Sequence, residues 1–398
     1  MHTGRINHRP DDCLVSVLTP PGRSAVATVS VVGSRAIAHV SELFRPAART
    51  GLQQFPIARI VVGRWTAEGH EGEEVVVCCL SQDAVDVHCH GGRTAARRIV
   101  DSLIAAGCRE VGWQRMAELC EETPIAAEAR IALAAARTER TAAILLAQYR
   151  GALEAELTAI VALLENEETD AAADRLRRLE RYADFGKHLT TPWRVVLTGH
   201  ANVGKSSLIN AILGYERSIV FEQPGTTRDV VTATTAIDGW PVELADTAGL
   251  REGGDAVESA GVRLARERLA AADVVVAVFD ATQRWTADST LLAEAWPDAV
   301  VVHSKCDLVP EPAGDRPAGL RTSAITGQGI AELVQALASK IAPNPPPPEA
   351  AIPFTSRQAD AIENAFRLLE TRKKTASSTA IARLLKPPPA NTLPQREA

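Results

Sequence analysis

The sequence has few aromatic residues and no long apolar run, and these absences narrow the class of protein. Only 4% of the residues are aromatic, whereas 46% are hydrophobic and 23% are charged. This composition is typical of an alanine-rich globular protein and unlike that of a disordered chain. No uncharged apolar stretch reaches the roughly 18 residues that a membrane-spanning helix needs. The sequence therefore predicts that nothing spans a membrane.

Two further absences bear on the compartment and on the partners. The segment beginning Met1-His2-Thr3-Gly4-Arg5 has no apolar signal core behind it. The 7 cysteines are unevenly spaced, which in such a chain indicates reduced, buried thiols. A cytoplasmic location follows as a prediction. The net charge of −6 argues against a broadly basic surface for nucleic acid, although it leaves room for a local patch.

Residues 199–206, Gly-His-Ala-Asn-Val-Gly-Lys-Ser, match the phosphate-binding loop pattern G-x-x-x-x-G-K-[ST]. An apolar run predicts a strand before the loop, and residues 207–213 predict a helix after it. The backbone N–H groups of such a loop and the helix N-terminus favour bound phosphate. Lys205 would reach the outer phosphates, and the Ser206 hydroxyl would ligate Mg²⁺. The predicted contacts from the loop are Asn202, Val203, Gly204, Lys205, Ser206 and Ser207. On this motif alone, a plain glycine-containing turn stays an alternative.

Two downstream segments carry the chemistry expected around a terminal phosphate. Asp246 ends an apolar strand, where its carboxylate can hold Mg²⁺ through water. The N–H of Gly249, three residues later, can sense the terminal phosphate. Gly225, Thr226 and Thr227 lie between the phosphate loop and Asp246, in a segment that can close over Mg²⁺.

Two more segments predict recognition of guanine. Asp307 can accept hydrogen bonds from the N1 and N2 groups of the base, while the stem of Lys305 covers the ring. Ser323 and Ala324 supply the usual last base contact. Because all these elements fall in the right order, the sequence predicts a guanine-nucleotide domain.

The base-reading motif begins with Ser304, where asparagine is usual. Serine is shorter and has no amide to bridge the base and the phosphate loop, so we expect a lower affinity. Asp307 should keep the preference for guanine, because adenine lacks the N1–H donor. A nucleotide hydrolase of relaxed specificity remains an alternative.

The predicted fold is a multi-domain α/β protein. A P-loop GTPase with a doubly wound, mostly parallel sheet is inserted in an α-helical domain, and a small α+β domain precedes both. The 398 residues suffice for such a set of domains. The predicted bounds are an α+β domain at 1–115, helical segments at 116–190 and 355–385, the GTPase domain at 191–342, a proline-rich linker at 343–354 and a disordered tail at 386–398.

His88-Cys89-His90 suggests a metal site at first sight. Successive strand residues face opposite sides, so only the two histidines share a face. Two ligands without a partner cluster make a poor site. We therefore predict no metal there.

The order of these motifs resembles the tRNA-modification GTPases of the MnmE/TrmE type. The resemblance rests on Thr-Pro-Pro-Gly-Arg at 19–23, His-Gly-Gly at 90–92, the phosphate loop with Asn202, the segment 224–229, and Asp246-Thr-Ala-Gly-Leu-Arg through Glu258. It covers most of the chain from about residue 14 to residue 369, most closely in the nucleotide domain.

The resemblance implies a potassium-dependent GTPase. Asn202 would help to hold K⁺ beside the phosphates, and the segment Gly225 to Thr227 would complete that site when two nucleotide domains pair in a homodimer. Thr227 would ligate Mg²⁺ together with Ser206, and Glu258 would position the attacking water. Lys205, Thr227 and Glu258 are thus the catalytic residues that the resemblance implies. It also implies a flavin-dependent partner protein and tRNA, whose wobble uridine receives a 5-carboxymethylaminomethyl group.

The sequence departs from that family at its second site. The position of the folate-contacting arginine is Ser30, and the folate-contacting acid aligns with Asp86, one methylene shorter. The family ends in a short motif with a cysteine, whereas this sequence ends Pro-Gln-Arg-Glu-Ala. Folate binding is therefore doubtful, and a divergent or truncated member is expected. The alternative function is a GTP-dependent switch or assembly module that has lost the folate-dependent chemistry.

Overall fold

A computed structural model describes residues 13–20, 22, 24–47, 57–66, 72–215, 232–246, 267–309, 316–371 and 373–386. The chain divides into two compact units. The first unit is Met1–Ile131 with Arg383–Ala398, and the second unit is Ala132–Ala382.

The first unit is built on a seven-stranded sheet of order β3-β4-β5-β6-β2-β1-β7. Its described strand pairs are antiparallel, except that β1 and β7 are parallel. Alternating burial along β4, β5 and β6 places one face of the sheet in the core, as a period-2 pattern requires. The strands are β1 Leu14–Val17, β2 Val26–Val32, β3 Phe44–Pro46, β4 Ile60–Trp65, β5 Glu73–Cys79, β6 Ala84–His90 and β7 Arg109–Glu110.

Helices cover the core face of this sheet. Two helices, α1 Ala36–Leu43 and α2 Arg93–Ala105, lie on this face. The helix α3 Trp113–Cys120 packs Met116 against Leu14 and Val32 on the opposite face, and α4 Pro124–Ala135 begins in this unit. In α2 the buried residues Ala96, Ile99, Val100 and Leu103 recur at the spacing of one helical face. Gly107, with a φ of 104°, lets the chain turn after α2 and enter β7. Residues from this helix face and from the strands form one buried cluster.

The second unit contains a group of helices and a second sheet. Its helices outside the sheet region are α5 Glu139–Tyr149, α6 Ala152–Glu165, α7 Thr169–Arg181, α8 Ala183–Lys187, α12 Ser356–Glu370 and α13 Lys374–Leu385, which begins in this unit. The Thr138 side chain caps α5 and forms a capping box with Thr141. One face of α6 is buried, and its buried apolar residues recur at helical spacing: Leu153, Leu157, Ile160 and Leu164. These helices lie within the segments 116–190 and 355–385, for which the sequence predicts helices.

The proline-rich stretch reaches the helices through a buried amide. Gln148 on α5 is fully buried, and its Nε2 donates to the carbonyl of Ala350 at 2.9 Å. The N–H of Ile352 donates to Oε1 of the same side chain at 3.2 Å. Gly186 on α8 fits against the carbonyl of Pro353, where a Cβ would lie 1.8 Å from that oxygen. Residues 343–354 contain neither helix nor strand.

The sheet of the second unit has six strands in the order β13-β12-β11-β8-β10-β9. Its described pairs are parallel, except that β9 and β10 are antiparallel. The strands are β8 Trp193–Thr198, β9 Thr232–Ile237, β10 Trp240–Asp246, β11 Val274–Asp280, β12 Val300–Ser304 and β13 Leu320–Arg321. The helices beside them are α9 Lys205–Tyr215, α10 Ala287–Ala295 and α11 Ile330–Ile341. The predicted fold class, a P-loop GTPase sheet with helical and α+β parts, is confirmed.

Within the second unit, aromatic contacts join the helices to the turn between β9 and β10. The ring of Phe185 meets that of Trp240 edge-on at a centroid distance of 4.8 Å. The guanidinium of Arg140 lies over Trp240 at 4.4 Å and donates to the carbonyl of Asp238 at 2.6 Å. His188 stacks on Trp193 at 3.6 Å, and burial lowers the pKa of this histidine.

All seven cysteines are free thiols. Five are buried, as the sequence predicts, whereas Cys78 and Cys120 are half-buried. None of the helices in the described part of the chain is long and apolar enough to cross a bilayer.

Candidate nucleotide-binding site

The candidate site lies along one edge of the six-stranded sheet. Parallel pairing brings the carboxyl ends of β8, β10, β11 and β12 to this edge, where ligands bind in open α/β sheets. Asp246 is the last residue of β10, Asp280 that of β11 and Ser304 that of β12. Segments that are far apart in the sequence therefore meet at the loop that follows β8.

The phosphate loop turns sharply because three of its residues have positive φ. Gly199 has a φ of 151°, and a Cβ there would lie 2.3 Å from the carbonyl oxygen of Val278. Asn202 has a φ of 60°, a left-handed conformation that asparagine tolerates better than most residues. Gly204 has a φ of 95° and leads directly into α9. Val203 is buried, whereas Asn202, Ser206 and Ser207 are exposed.

Lys205 is the buried cation of the site, with only 4% of its surface exposed. Its Nζ donates to the carbonyl oxygens of Gly199 at 3.2 Å and His200 at 2.9 Å. The same nitrogen lies 4.0 Å from Oδ1 of Asp246. A buried ammonium is stable only when it is paired and hydrogen-bonded, and both conditions are met here. The loop thus holds a positive charge at the N-terminus of α9.

A hydroxyl and a carboxylate converge beside this lysine. The Oγ of Ser206 donates to Oδ2 of Asp246 at 2.5 Å. Hydroxyl and carboxylate oxygens are the ligands that Mg²⁺ prefers. These two residues, predicted from separate motifs, are therefore brought together in a donor set that fits Mg²⁺.

Ser304 has no amide to bridge the base and the phosphate loop, yet its hydroxyl contacts the loop. Its Oγ donates to the carbonyl of Val203 at 2.6 Å, and the side chain is only 5% exposed. The same oxygen lies 3.1 Å from the carbonyl of Phe279. The short side chain suffices because the last residue of β12 lies against the loop.

Lys305 ties the base-reading segment to the phosphate loop. Its backbone is left-handed, with a φ of 58°, and its Nζ donates to the carbonyl of Asn202 at 2.8 Å. The same nitrogen donates to Oδ2 of Asp280 at 2.7 Å. Burial raises the pKa of the Asp280 carboxyl, but hydrogen bonds from Lys305 and Thr282 outweigh burial and leave the pKa below its usual value. Asp280 therefore stays ionised and holds the lysine in place.

The residues predicted to read the base lie on two adjacent loops. A 3₁₀ turn, Cys306–Leu308, presents Asp307 in an exposed position. The N–H of Cys306 donates to the carbonyl of Thr322 at 3.1 Å, which joins this turn to the segment after β13. In that segment Ser323 is buried and Ala324 is half-buried. The arrangement leaves the Asp307 carboxylate free of the core.

Five predicted site residues lie outside the described residues: Gly225, Thr226, Thr227, Gly249 and Glu258. Their predicted roles stay predictions. The described strands β9 and β10 flank the segments that carry them.

The predicted folate position lies in the first unit. Ser30 on β2 pairs with Asp86 on β6 across the sheet, and Oδ1 of Asp86 is buried with no hydrogen-bond partner among the described residues. Nδ1 of His88 forms a hydrogen bond with the Thr28 hydroxyl at 3.0 Å. Nδ1 of His90 instead lies 3.4 Å from Oε1 of Glu73. The two histidines thus have separate polar partners.

Comparisons with known proteins agree with both units. The family model described as GTP-binding protein TrmE N-terminus matches residues 13–121. The model described as 50S ribosome-binding GTPase matches residues 194–305. The tRNA modification GTPase MnmE of Synechococcus sp. (strain RCC307) is 32% identical over 82% of this chain and 80% of its own length.

The chain belongs to the MnmE family of tRNA modification GTPases. It is a GTP-hydrolysing enzyme. Other relatives agree: MnmE of Synechococcus sp. (strain CC9605) is 33% identical over 81% of this chain and 80% of its own length, and MnmE of Moorella thermoacetica is 32% identical over 82% of this chain and 81% of its own. Among solved structures, the G domain of the T. maritima FeoB iron transporter matches 37% of this chain and 98% of its own, at 23% identity and a TM-score of 0.26. At that TM-score the likeness carries no argument.

Sequence reasoning missed one residue of this MnmE-type site. Asp280 closes an apolar strand and anchors Lys305, yet it belongs to no motif used above. The signal that could have found it is a charged residue at the end of the apolar run Val274–Asp280, because such positions line the ligand edge of a parallel sheet.

Proposed function

We propose that this enzyme hydrolyses GTP to GDP and phosphate in a Mg²⁺- and K⁺-dependent reaction that serves wobble-uridine modification of tRNA. The convergence of Ser206, Asp246 and Lys205 at the N-terminus of α9 supports the proposal. Asp246 brings a hydroxyl at 2.5 Å and a buried ammonium at 4.0 Å to one carboxylate, which is the set of groups that a Mg²⁺–triphosphate requires.

Each part of the loop has a task in this reaction. The backbone N–H groups of residues 202–207 would donate to the phosphates. Lys205 would exchange its two carbonyl partners for phosphate oxygens. Ser206 and, through water, Asp246 would hold Mg²⁺, which neutralises charge that develops on the phosphate oxygens. Thr227 is proposed as a further Mg²⁺ ligand, and Glu258 as the residue that positions water.

The K⁺ requirement is supported by the geometry of Asn202. Its left-handed backbone turns an exposed side chain to the solvent side of the loop, while its carbonyl is held by Lys305. We propose that the amide oxygen contributes to a K⁺ site, completed by Gly225 to Thr227 when two nucleotide domains pair. The cation would supply the positive charge that an arginine finger supplies in other GTPases.

Exchange of K⁺ for Na⁺ at constant ionic strength tests this part. We expect GTP turnover by the full chain to fall in Na⁺, and Asn202→Ala to abolish the difference. Equal rates in the two salts would refute the K⁺ site. Turnover of ATP at the rate of GTP would refute guanine preference at Asp307.

Glu258 is tested by Glu258→Ala. The variant should bind GTP normally and hydrolyse it slowly, because the proposed role is to position water and not to hold nucleotide. Normal hydrolysis would show that the role does not belong to Glu258.

Similarity to relatives that are tRNA modification GTPases supports the proposed tRNA role. We propose tRNA and a flavin-dependent protein as partners and a homodimer as the working form. A GTP-driven switch without folate chemistry is the second candidate, because Ser30 lies opposite Asp86 where the family resemblance expects arginine. Titration of the full chain with a reduced folate separates the two. Saturable binding that Asp86→Ala weakens would reject the switch, and absence of binding would reject the modification role.

A further inference from the structure

Two cysteine thiols and one imidazole, all potential metal ligands, lie together inside the first unit. All three residues are far from the phosphate loop in the sequence. The Sγ atoms of Cys13 and Cys108 are 3.1 Å apart. One ligand atom from each of Cys13, His39 and Cys108 lies within 4.8 Å of the others. We name these three residues the thiol–imidazole cluster. All three side chains are buried.

The cluster has an unexplained polar atom. His39 is only 3% exposed, and its Nδ1 is buried with no hydrogen-bond partner among the described residues. A buried nitrogen without a partner costs about 1–3 kcal/mol, so its retention calls for a reason. Metal ligation by one ring nitrogen would give this imidazole a polar interaction inside the core.

Three separate elements present the ligands. Cys13 immediately precedes β1, His39 is on α1, and Cys108 lies between α2 and β7. The N–H of Arg109 donates to the carbonyl of Cys13 at 2.7 Å, which fixes the two thiols side by side. The His39 ring lies against the turn at Gly107, where a Cβ would be 3.7 Å from Cε1.

We propose that the thiol–imidazole cluster binds a zinc ion that staples α1, β1 and the α2–β7 turn together. Two sulfurs and one imidazole are zinc ligands, and the described residues add no carboxylate to the group that would favour a hard cation. Two thiolates and Zn²⁺ sum to zero charge, which suits a buried position. Each thiol gives up its proton as its sulfur bonds to zinc, so binding releases two protons.

The separation of the two Sγ atoms allows zinc to bind after a small movement of the cysteine side chains. Two sulfurs on one tetrahedral zinc are about 3.8 Å apart, given Zn–S bonds of about 2.3 Å. The Sγ atoms therefore need to separate by about 0.7 Å from 3.1 Å, which a rotation of the Cys side chains can supply. Three protein ligands leave the fourth position to water.

Metal analysis of the full chain, purified anaerobically, tests the proposal. We expect one zinc per chain in the wild type, and a loss of at least about 10-fold in zinc content in Cys13→Ser and Cys108→Ser. Cys89→Ser is the matched control, since Cys89 is equally buried in the same core but outside the cluster, and it should keep its zinc.

A second measurement needs no variant and so does not depend on whether the variants fold. The wild-type chain refolded with Co²⁺ should show thiolate-to-cobalt charge-transfer absorption, and zinc should raise its unfolding temperature. Lack of that absorption, together with a metal-free purified chain, would overturn the proposal. A Cys13–Cys108 disulfide in the anaerobically purified chain would overturn it as well.

Discussion

The phosphate loop and the thiol–imidazole cluster are built in opposite ways. The loop places its contacts within residues 199–206, so a local pattern reveals it. The cluster takes single residues from positions 13, 39 and 108, and no local pattern connects them. The loop offers contiguous backbone N–H groups for phosphate, whereas the cluster offers only side-chain ligand atoms. A site made of backbone N–H groups needs a contiguous segment, and a site made of side chains does not.

Of the changes that test this contrast between loop and cluster, loss of the buried Lys205 ammonium should have the largest effect, and it acts on GTP turnover. Lys205→Ala should abolish nucleotide binding and lower kcat/KM for GTP by about 10³-fold or more, because Nζ is the charge that the loop holds buried at the N-terminus of α9. Steady-state GTP hydrolysis measures this. Lys187→Ala, which removes an exposed lysine of the same unit, should retain wild-type turnover. A Lys205→Ala enzyme within tenfold of the wild type would contradict the assignment of the loop.

A substitution that creates a cavity in the core of the first unit should lower the stability of the protein and leave GTP turnover unchanged. Leu103→Ala removes a fully buried side chain of α2 and should cost about 3 kcal/mol of unfolding free energy. Hydrogen exchange over α2 and β1 reports on this unit. The neighbouring Ile104 is 39% exposed, and Ile104→Ala should cost about 0.5 kcal/mol. Equal costs for the two variants would show that the assigned core face is wrong.

Removal of the Ser304 hydroxyl should have an intermediate effect. Ser304→Ala leaves the Val203 carbonyl without its buried donor and should cost about 1–3 kcal/mol of unfolding free energy. It should also weaken GTP binding, because Val203 belongs to the phosphate loop. The exposed hydroxyl of Ser339 makes a similar bond to Gln335, and Ser339→Ala should change neither quantity. Denaturant unfolding and nucleotide titration measure the two effects.

The smallest effect concerns pH. Because the pKa of Asp280 is lower in the folded chain, its contribution to stability is present above about pH 4 and is lost as pH falls through the folded pKa. Lys305→Ala should weaken this dependence, by about 1 kcal/mol or less since Lys305 is partly exposed. Lys340→Ala, which removes an exposed lysine that donates to the backbone carbonyl of Asp298, should keep the wild-type profile. Unfolding measured between about pH 3 and 6 without nucleotide distinguishes the variants.

Much of the nucleotide site was predictable because its residues follow strand ends in sequence order. Lys205, Ser206, Asp246 and Asp307 occupy the edge that the motifs predict. Two features were not predictable. The role of Asp280 depends on strand order, which places the end of β11 beside β12. The bond from Ser304 to Val203 depends on how closely β12 approaches the loop, which no sequence motif encodes.

Fewer side-chain contacts of the first unit could be predicted from the sequence, because they too depend on how strands pair. Its antiparallel strands alternate in burial, so the pattern indicates a sheet but leaves open which cysteines meet. His88, Cys89 and His90 are adjacent in sequence, yet the pleat sends them to two faces. Cys13 and Cys108 are 95 residues apart, yet the parallel pairing of β1 and β7 brings them into contact.

By itself, the sequence determined the family, the nucleotide and the residues of the phosphate loop, because each is encoded in short contiguous segments. Tertiary structure alone decided three things: that Asp280 holds Lys305, that Ser304 reaches the loop, and that two thiols and an imidazole share one buried position. Each of these depends on distances between segments that pack together only in the folded chain. Strand order and register set such distances, and single-residue patterns do not carry them.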